Sequence, residues 1–343
     1  MNKILLALTV IGSIAVSAGV YNLASIQAAP HPSHIMDAWA QWKKTHTKLY
    51  AGAAQEGSKL EAFAANFNQI QASNVNPAHT FKLGFNQFSD LTNEEFTRTY
   101  LRDNSGAQSP DVDSIEMLET LTAPESIDWS AQGAVSGIKD QGQCGSCWAF
   151  STTGSLEGLD FLTNGKIRTF SEQQLVDCDK GSLIPFYPPN MGCSGGNMGW
   201  AFSYAKARGM MAEADYPYVS PGSSKCAYDS TKTIFAPKSH HSVMPLCNSC
   251  LKTHVAAQPV SVAIDGSSIQ HYISGVYNGS CSWKTNHGVL AVGYGTENGA
   301  AFWKIKNSWG AVWGESGFLR ISRSDSIAPG MCGIATRASY PTM

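Results

Sequence analysis

Charge is scarce. Lys, Arg, Asp and Glu make up 15% of the 343 residues, the formal net charge is −2, and no basic cluster stands anywhere along the chain. A nucleic-acid or polyanion binder would show one, so no nucleic-acid partner is expected. Long apolar runs are equally scarce. Lys3 precedes one, Ile4 to Val16, too short to span a bilayer as an ordinary transmembrane helix. Small residues follow, and Val16-Ser17-Ala18 fits the cleavage rule of a secretory signal. Residues 1–18 therefore read as a signal peptide, with cleavage open as far as Ala29. No second stretch could cross a membrane, and no internal repeat is present.

Cysteine and glycine are plentiful, at 9 and 32. So many cysteines point to an oxidising compartment unless several bind metal. The odd count leaves at least one thiol unpaired if every bridge is intramolecular. The length suffices for one large or two ordinary domains.

From about 30 to 105 the pattern is helical. Trp39, Trp42, His46 and Tyr50 recur at steps of three and four, as one helix face does. Phe63, Asn66, Ile70 and Asn74 share a second face. Phe81 to Asp90 alternates like a strand, and Leu91 to Phe96 has the look of a capped helix start. Residues 103–122 are polar and suit an exposed linker open to proteolysis. From Pro124 the chain turns rich in Gly, Trp and Cys. Helices are expected over Trp148–Leu162, from the N-cap Ser171, and over Asn197–Arg208. Strands are expected over Val260–Ile264, Gly288–Tyr294, Ala301–Lys306 and Gly317–Ile321. A helical half followed by a β half predicts an α+β fold with a cleft between the halves.

The chemistry gathers at Gln141-Gly-Gln-Cys-Gly-Ser-Cys147-Trp-Ala-Phe150. A thiol at a helix N-terminus is favoured as thiolate, and small residues upstream let a substrate backbone approach it. The ordinary alternative is a structural cysteine pair. A nucleophilic cysteine also needs a base, and the base needs an orienting group. His287, at the start of an apolar strand, and Asn307, just after another, are the candidates.

Together with Cys193-Ser-Gly-Gly-Asn197 and Asn307-Ser-Trp-Gly-Ala-Val-Trp-Gly314, these motifs make residues 123–343 resemble the mature part of a papain-family cysteine protease of the cathepsin L type. The histidine falls within that family's usual spacing from the cysteine and the asparagine slightly beyond it. The resemblance implies a two-domain fold, with a helical left domain, a β-barrel-like right domain and the catalytic cleft between them. It implies that Cys147 is the nucleophile, His287 the general base and acid, Asn307 its orienter and Gln141 an oxyanion donor. Trp309 would cover the His287–Asn307 bond. Gly195 and Gly196 would pair with an extended substrate, and Met198, Ala263 and Gly288 would line the pocket for the second residue before the scissile bond. Arg337 would stand at the base of that pocket, either turned outward or accepting an acidic side chain. Bridges Cys144–Cys193, Cys178–Cys226 and Cys281–Cys332 are implied, leaving Cys147 free. Cys247 and Cys250 lie outside that set; a local disulfide is expected, and a zinc site with His240, His241 and His254 is the alternative.

By the same resemblance residues 19–122 are an inhibitory propeptide. Phe63, Asn66, Ile70 and Asn74 match half of one propeptide motif, and Gly84, Asn86, Phe88 and Asp90 match a second. Gln55 and Lys59 replace the Glu and Arg of the first motif, which weakens its salt-bridge half. The implied protein is a zymogen of an endopeptidase in a lysosome or other acidic vesicle, or secreted. It would be a monomer with no cofactor, no metal and no membrane association, acting on protein or peptide substrates. Its own propeptide would inhibit it, and cystatin-type proteins are the expected external inhibitors. A catalytically silent peptide-binding homologue, or an acyltransferase using the same thiolate, are the alternatives. The loop Lys180–Met191, with Pro185, Phe186, Tyr187, Pro188 and Pro189, either extends the cleft rim or is a surface insertion. It lacks the histidine of a dipeptidase-type occluding loop. Asn278-Gly-Ser280 is an N-glycosylation sequon.

Overall fold

The structure, a computed structural model, describes residues 31–102, 115–116, 123–180, 190–219, 225–325 and 328–343. The expected signal peptide, most of the polar linker and the proline-rich stretch 181–189 lie outside these residues.

The N-terminal module is built on two helices, α1 (Ser33–Thr45) and α2 (Ala53–Asn74). Their core is aromatic: Trp39, Trp42 and Phe63 are all buried. α1 stops earlier than the periodicity suggests, because the chain turns at Thr47 with φ 50°. Tyr50 is therefore off the helix, yet it returns to stack on Trp39 with centroids 5.7 Å apart. On α2 the polar members of the apolar face hold the following loop. Asn66 Nδ2 donates to the carbonyls of Ser89 and Leu91 at 3.0 and 2.9 Å. Asn74 exchanges two hydrogen bonds with the Leu83 backbone. Lys59 pairs with Glu95 at 2.8 Å, so that contact survives the loss of arginine, while Gln55 makes only a neutral bond to Ala51 N.

Strand β1 is short, Phe81–Leu83. Its alternation continues in sequence but not in structure, because Asn86 Oδ1 accepts from Phe88 N and Ser89 Oγ accepts from Asn86 N, folding the chain into turns. Helix α3 (Asn93–Tyr100) starts at a full capping box between Thr92 and Glu95. Two-residue strands β2 (Ile115–Glu116) and β3 (Ile127–Asp128) follow.

The helical half holds α4 (Cys147–Asn164), α5 (Glu172–Cys178, capped by Ser171) and α6 (Met198–Arg208, capped by Asn197). A small ribbon of β4 (Met210–Met211) and β5 (Thr233–Phe235) closes it. The other half holds β6 (Ser239–Val243), α7 (Asn248–Ala257), β7 (Val260–Ile264), β8 (Tyr272–Tyr277), β9 (His287–Glu297), β10 (Ala300–Lys306), β11 (Phe318–Ser322) and β12 (Ala338–Thr342). The strand order is β1-β8-β11-β10-β9-β7-β12-β6-β2, with β3 on β9. Residues N-terminal to the enzyme thus cover both edges of its sheet, β1 antiparallel on β8 and β2 parallel on β6.

The two halves meet where α4 lies against β7 and β9. At Gly154 a Cβ would stand 2.8 Å from Leu290, and at Gly158 one would stand 2.7 Å from Pro259, so a bulkier residue at either would push the halves apart. Ser151 Oγ donates to the Val289 carbonyl at 2.7 Å and Ser261 Oγ to the Ser151 carbonyl at 2.8 Å. Below them lies a buried charge cluster. Lys139 bridges Glu157 at 2.8 Å and Glu172 at 2.5 Å, while Lys306, from the β half, bonds Ser136, which bonds Glu157 in turn.

Disulfides join Cys144–Cys193, Cys178–Cys226 and Cys281–Cys332, spanning 49, 48 and 51 residues, and Cys247–Cys250, spanning three. By loop-closure entropy each long bridge stabilises by about 4 kcal/mol and the short one by about half that.

Candidate active site

Cys147 opens α4 and is fully buried; it is the cysteine among the described residues that forms no disulfide. No side chain caps the helix there, since Ser146 Oγ bonds the Tyr218 hydroxyl at 2.6 Å instead. The positive end of the helix dipole therefore meets Cys147 with no capping side chain in between. The preceding loop is fixed by the Cys144–Cys193 bridge and by Gly145 N donating to the Cys193 carbonyl at 2.9 Å. Trp148 Nε1 donates to the Gly192 carbonyl at 3.1 Å.

His287 begins β9 on the facing half. Gly288 is pressed so close to Trp148 that a Cβ would lie 3.3 Å from its backbone nitrogen, which sets His287 beside the Cys147–Trp148 peptide. His287 Nε2 meets Asn307 Oδ1 at 2.8 Å, while Nδ1 has no hydrogen-bond partner. The Asn307 contact makes Nε2 the protonated nitrogen and leaves Nδ1 to accept a proton. Trp309 stacks on the imidazole at 4.6 Å and 23°, keeping water from the histidine–asparagine bond. Burial pushes the His287 pKa down to about 4, against the upward pull of Asn307. The ring is therefore neutral in this closed state.

The N-terminal module adds to the burial that Trp309 provides. Phe88 and Phe96 set their ring edges on Trp309 at 5.6 and 5.1 Å, and Gln87 Nε2 donates to the Trp309 carbonyl at 2.7 Å. Leu101 and the His287 side chain both close on Gly266, and Arg102 lies against Gly145. Gln141 Nε2 donates to the Tyr100 carbonyl at 3.0 Å and to the Cys144 carbonyl at 2.8 Å. Its Oε1 accepts from Ser308 Oγ at 2.7 Å, which fixes which end of the amide faces Tyr100. A carbonyl of the N-terminal module thus occupies the Gln141 donor.

Along the cleft wall, Ala263 pairs with Gly288 in register and donates its N–H to the Arg337 carbonyl at 3.0 Å. Met198 Sδ would lie 3.2 Å from a Cβ on Gly288. Met198, Ala263, Gly288 and Arg337 are therefore neighbours, with Arg337 half-buried. Gly195 has φ 111°, a conformation that requires glycine, and Gly196 packs on Trp148. Asn278 lies outside the cleft. Its amide nitrogen, the sequon acceptor, donates to the Ala78 carbonyl at 2.9 Å and its oxygen accepts from Thr80 N.

Some groups that build this site carry no sequence signal. Gln270 donates to the Phe88 and Leu91 carbonyls, and its own carbonyl accepts from Asn86 Nδ2 at 2.7 Å. Nothing in Ser268-Ile-Gln270-His announces that clamp. Phe96 and Tyr100, spaced four apart on α3, carry a signal in their helical spacing, since one such face must be covered.

Comparison with known proteins agrees with this geometry. Residues 123–342 match the papain family cysteine protease domain and residues 39–96 the cathepsin propeptide inhibitor domain (I29). The chain is 40% identical over 311 residues to the probable cysteine protease RDL2 of Arabidopsis thaliana, covering 89% of this chain and 84% of that one. Among solved structures it is similar to digestive procathepsin L 3 of the Tenebrio molitor larval midgut, with TM-score 0.80 and 38% identity over 91% of this chain and 100% of that one. It is also similar to a recombinant stem bromelain precursor, with TM-score 0.82 and 34% identity over 90% and 99%. A thiol on a helix end, an asparagine-held histidine under tryptophan, and an N-terminal module seated over both place the chain in the papain family of cysteine proteases, as a zymogen carrying its own propeptide inhibitor domain.

Proposed function

We propose that this protease is an endopeptidase, working in an acidic vesicle or outside the cell, whose Cys147 thiolate attacks the scissile carbonyl of an extended peptide. The observation that carries this reading is the His287–Asn307 hydrogen bond beneath Trp309, with Nδ1 left without a hydrogen-bond partner. His287 takes the thiol proton and returns it to the leaving amine, giving an acyl-enzyme and the first product. Water, activated by His287, then hydrolyses the thioester and restores the thiol. Gln141 Nε2 and the Cys147 N–H hold the oxyanion in both steps. Gly195 and Gly196 align the substrate backbone, and Met198, Ala263, Gly288 and Arg337 receive the second residue before the scissile bond.

Activation follows from what holds the propeptide together. Lys59, with the Thr92 N–H, outweighs burial and keeps the Glu95 carboxyl below its ordinary value of 4.5. A lowered carboxylate pKa contributes stability that is complete above 4.5 and is lost as pH falls through the folded value. The purified proform is expected to convert to the mature chain as pH falls below about 4.5 and to persist near neutrality, followed by electrophoresis. Cys147→Ser proform kept under the same conditions is expected to stay intact. Conversion of that variant on its own, or conversion indifferent to pH, would refute self-processing under acid control.

Arg337 gives the specificity test. Among peptides with Leu, Phe or Glu at the second position before the cleaved bond, Glu is expected to be accepted. Arg337→Ala should lower kcat/KM for the Glu peptide by about fivefold, the worth of a partly solvated ion pair, and leave the Leu peptide within about twofold. Equal effects on both peptides would show that the guanidinium points away from the pocket.

A further inference from the structure

Cys247 and Cys250 form a C-x-x-C disulfide across the first turn of α7. From its placement we infer that this bridge is a thiol–disulfide exchange site, in which small thiols open the bond by attacking Cys247. Three independent observations converge on that sulfur.

The first is reach. Cys247 is partly exposed between exposed Leu246 and exposed Ser249, whereas Cys250 faces the core at 4% exposure. An external thiolate meets Cys247 and not its partner. The second is what holds the reduced form. Cys247 is the N-cap of α7, and the Cys250 N–H donates to its sulfur at 3.1 Å. After reduction that N–H and the helix dipole stabilise a Cys247 thiolate, and a stabilised reduced state makes a disulfide the more readily reducible one. Cys178 shows the contrast, since it ends α5 and lies at the negative end of that helix. The third is consequence. The other bridges each tie chain segments 48 to 51 residues apart, while this one spans three. Opening it releases no segment, because Leu251 and Val255 keep α7 buried in the β-half core.

The reaction balances in two steps. A thiolate RS⁻ attacks Cys247 Sγ, forming a Cys247–S–S–R mixed disulfide and expelling Cys250 as thiolate. A second RS⁻ attacks the R sulfur, forming R–S–S–R and freeing the Cys247 thiolate. Two external thiols are oxidised, the protein disulfide is reduced by two electrons, and Cys250 takes a proton from solvent. Cys147 has no part in it.

The test uses the full-length Cys147→Ser chain in buffers of graded reduced-to-oxidised glutathione ratio, trapped with N-ethylmaleimide and read by peptide mass spectrometry. Cys247 and Cys250 are expected to be half-labelled at a ratio at least about tenfold lower than any other bridge. In a Cys250→Ser version, Cys247 is expected to carry glutathione after exposure to the oxidised form; in a Cys247→Ser version, Cys250 is expected to carry none. The proposal is overturned if this bridge opens only together with a long-range one, or if Cys250 is the sulfur that takes glutathione. The graded titration keeps the native pair, so it decides the question even where a cysteine variant folds poorly.

Discussion

Cys147→Ser, processed in trans to remove its propeptide, is expected to hydrolyse a peptide substrate with kcat lowered by about 10⁵-fold or more and KM little changed. The split follows from the geometry. On the proposed reading, substrate is held by the backbone of Gly195 and Gly196 and by the pocket around Met198, Ala263 and Gly288, none of which contributes the nucleophile. What changes is the proton. On the same reading, a thiol beside an uncapped helix end gives up its proton to His287 Nδ1 far more readily than an alcohol there would. The serine variant also separates an enzyme from a peptide-capturing homologue, because it should retain binding while losing turnover. Steady-state kinetics paired with binding of a non-cleavable peptide checks both halves. A residual rate above 1% of wild type, unaffected by a thiol-directed epoxide, would show that Cys147 is not the nucleophile.

Glu157→Ala is expected to destabilise the folded zymogen by about 3–5 kcal/mol, the usual cost of removing one partner from a buried ion network. Glu157 accepts from Lys139 at 2.8 Å, from Ser136 and from Phe170 N at 2.9 Å. Burial disfavours its carboxylate, but Lys139, Lys306 and those hydrogen bonds outweigh it and hold its pKa below 4.5. Its contribution is therefore complete above 4.5 and lost as pH falls through the lowered value. Without it, Lys139 keeps Glu172 and a 3.4 Å bond to the Phe170 carbonyl, and Lys306, whose pKa burial already lowers to about 8, loses its main attractive charge. Urea unfolding of the Cys147→Ser and Cys147→Ser/Glu157→Ala chains near neutral pH measures the difference. Because Lys306 immediately precedes Asn307, the loss should appear in the β half as well as in α4. A change below about 1 kcal/mol would mean that the cluster relaxes and resolvates.

How much of this was legible depends on what kind of signal each residue carries. The cap of α5 was, because Ser171 stands before an acid and two amides and its side chain has one obvious use; Asn197 was placed inside its helix, where its side chain instead caps the start. The catalytic candidates were, because a thiol, an imidazole and an amide each sit at the edge of a regular element, and the three occur in a family's order. Tyr50 was misassigned to the helix of Trp39 because periodicity cannot see the turn at Thr47 that carries it back to the same surface by another route. Phe81 to Asp90 imitated a strand because Phe81, Leu83 and Phe85 alternate, while Asn86 and Ser89 just beyond satisfy backbone groups with their own side chains and turn the chain. The charge cluster was invisible, since Lys139, Glu157, Glu172 and Lys306 are far apart in sequence and each alone reads as a solvated charge. Its members are recognised only once α4 and β10 bring them together.

One property of the docked propeptide bears on how the enzyme is restrained. Its bonds to the enzyme run from amides and hydroxyls to carbonyls: Asn86 and Gln87 on one side, Gln141 and Gln270 on the other, with Thr80 on the Val276 carbonyl at the sheet edge. Among the described residues no ion pair crosses between the two; the Lys48–Asp90 and Lys59–Glu95 pairs lie inside the propeptide itself. Screening by dissolved ions acts on separated charges and leaves short neutral hydrogen bonds and packed rings almost untouched. Over the described residues the inhibitor's hold is thus insulated from ionic strength while remaining open to protons, which reach it through Glu95 by loosening the inhibitor's own fold.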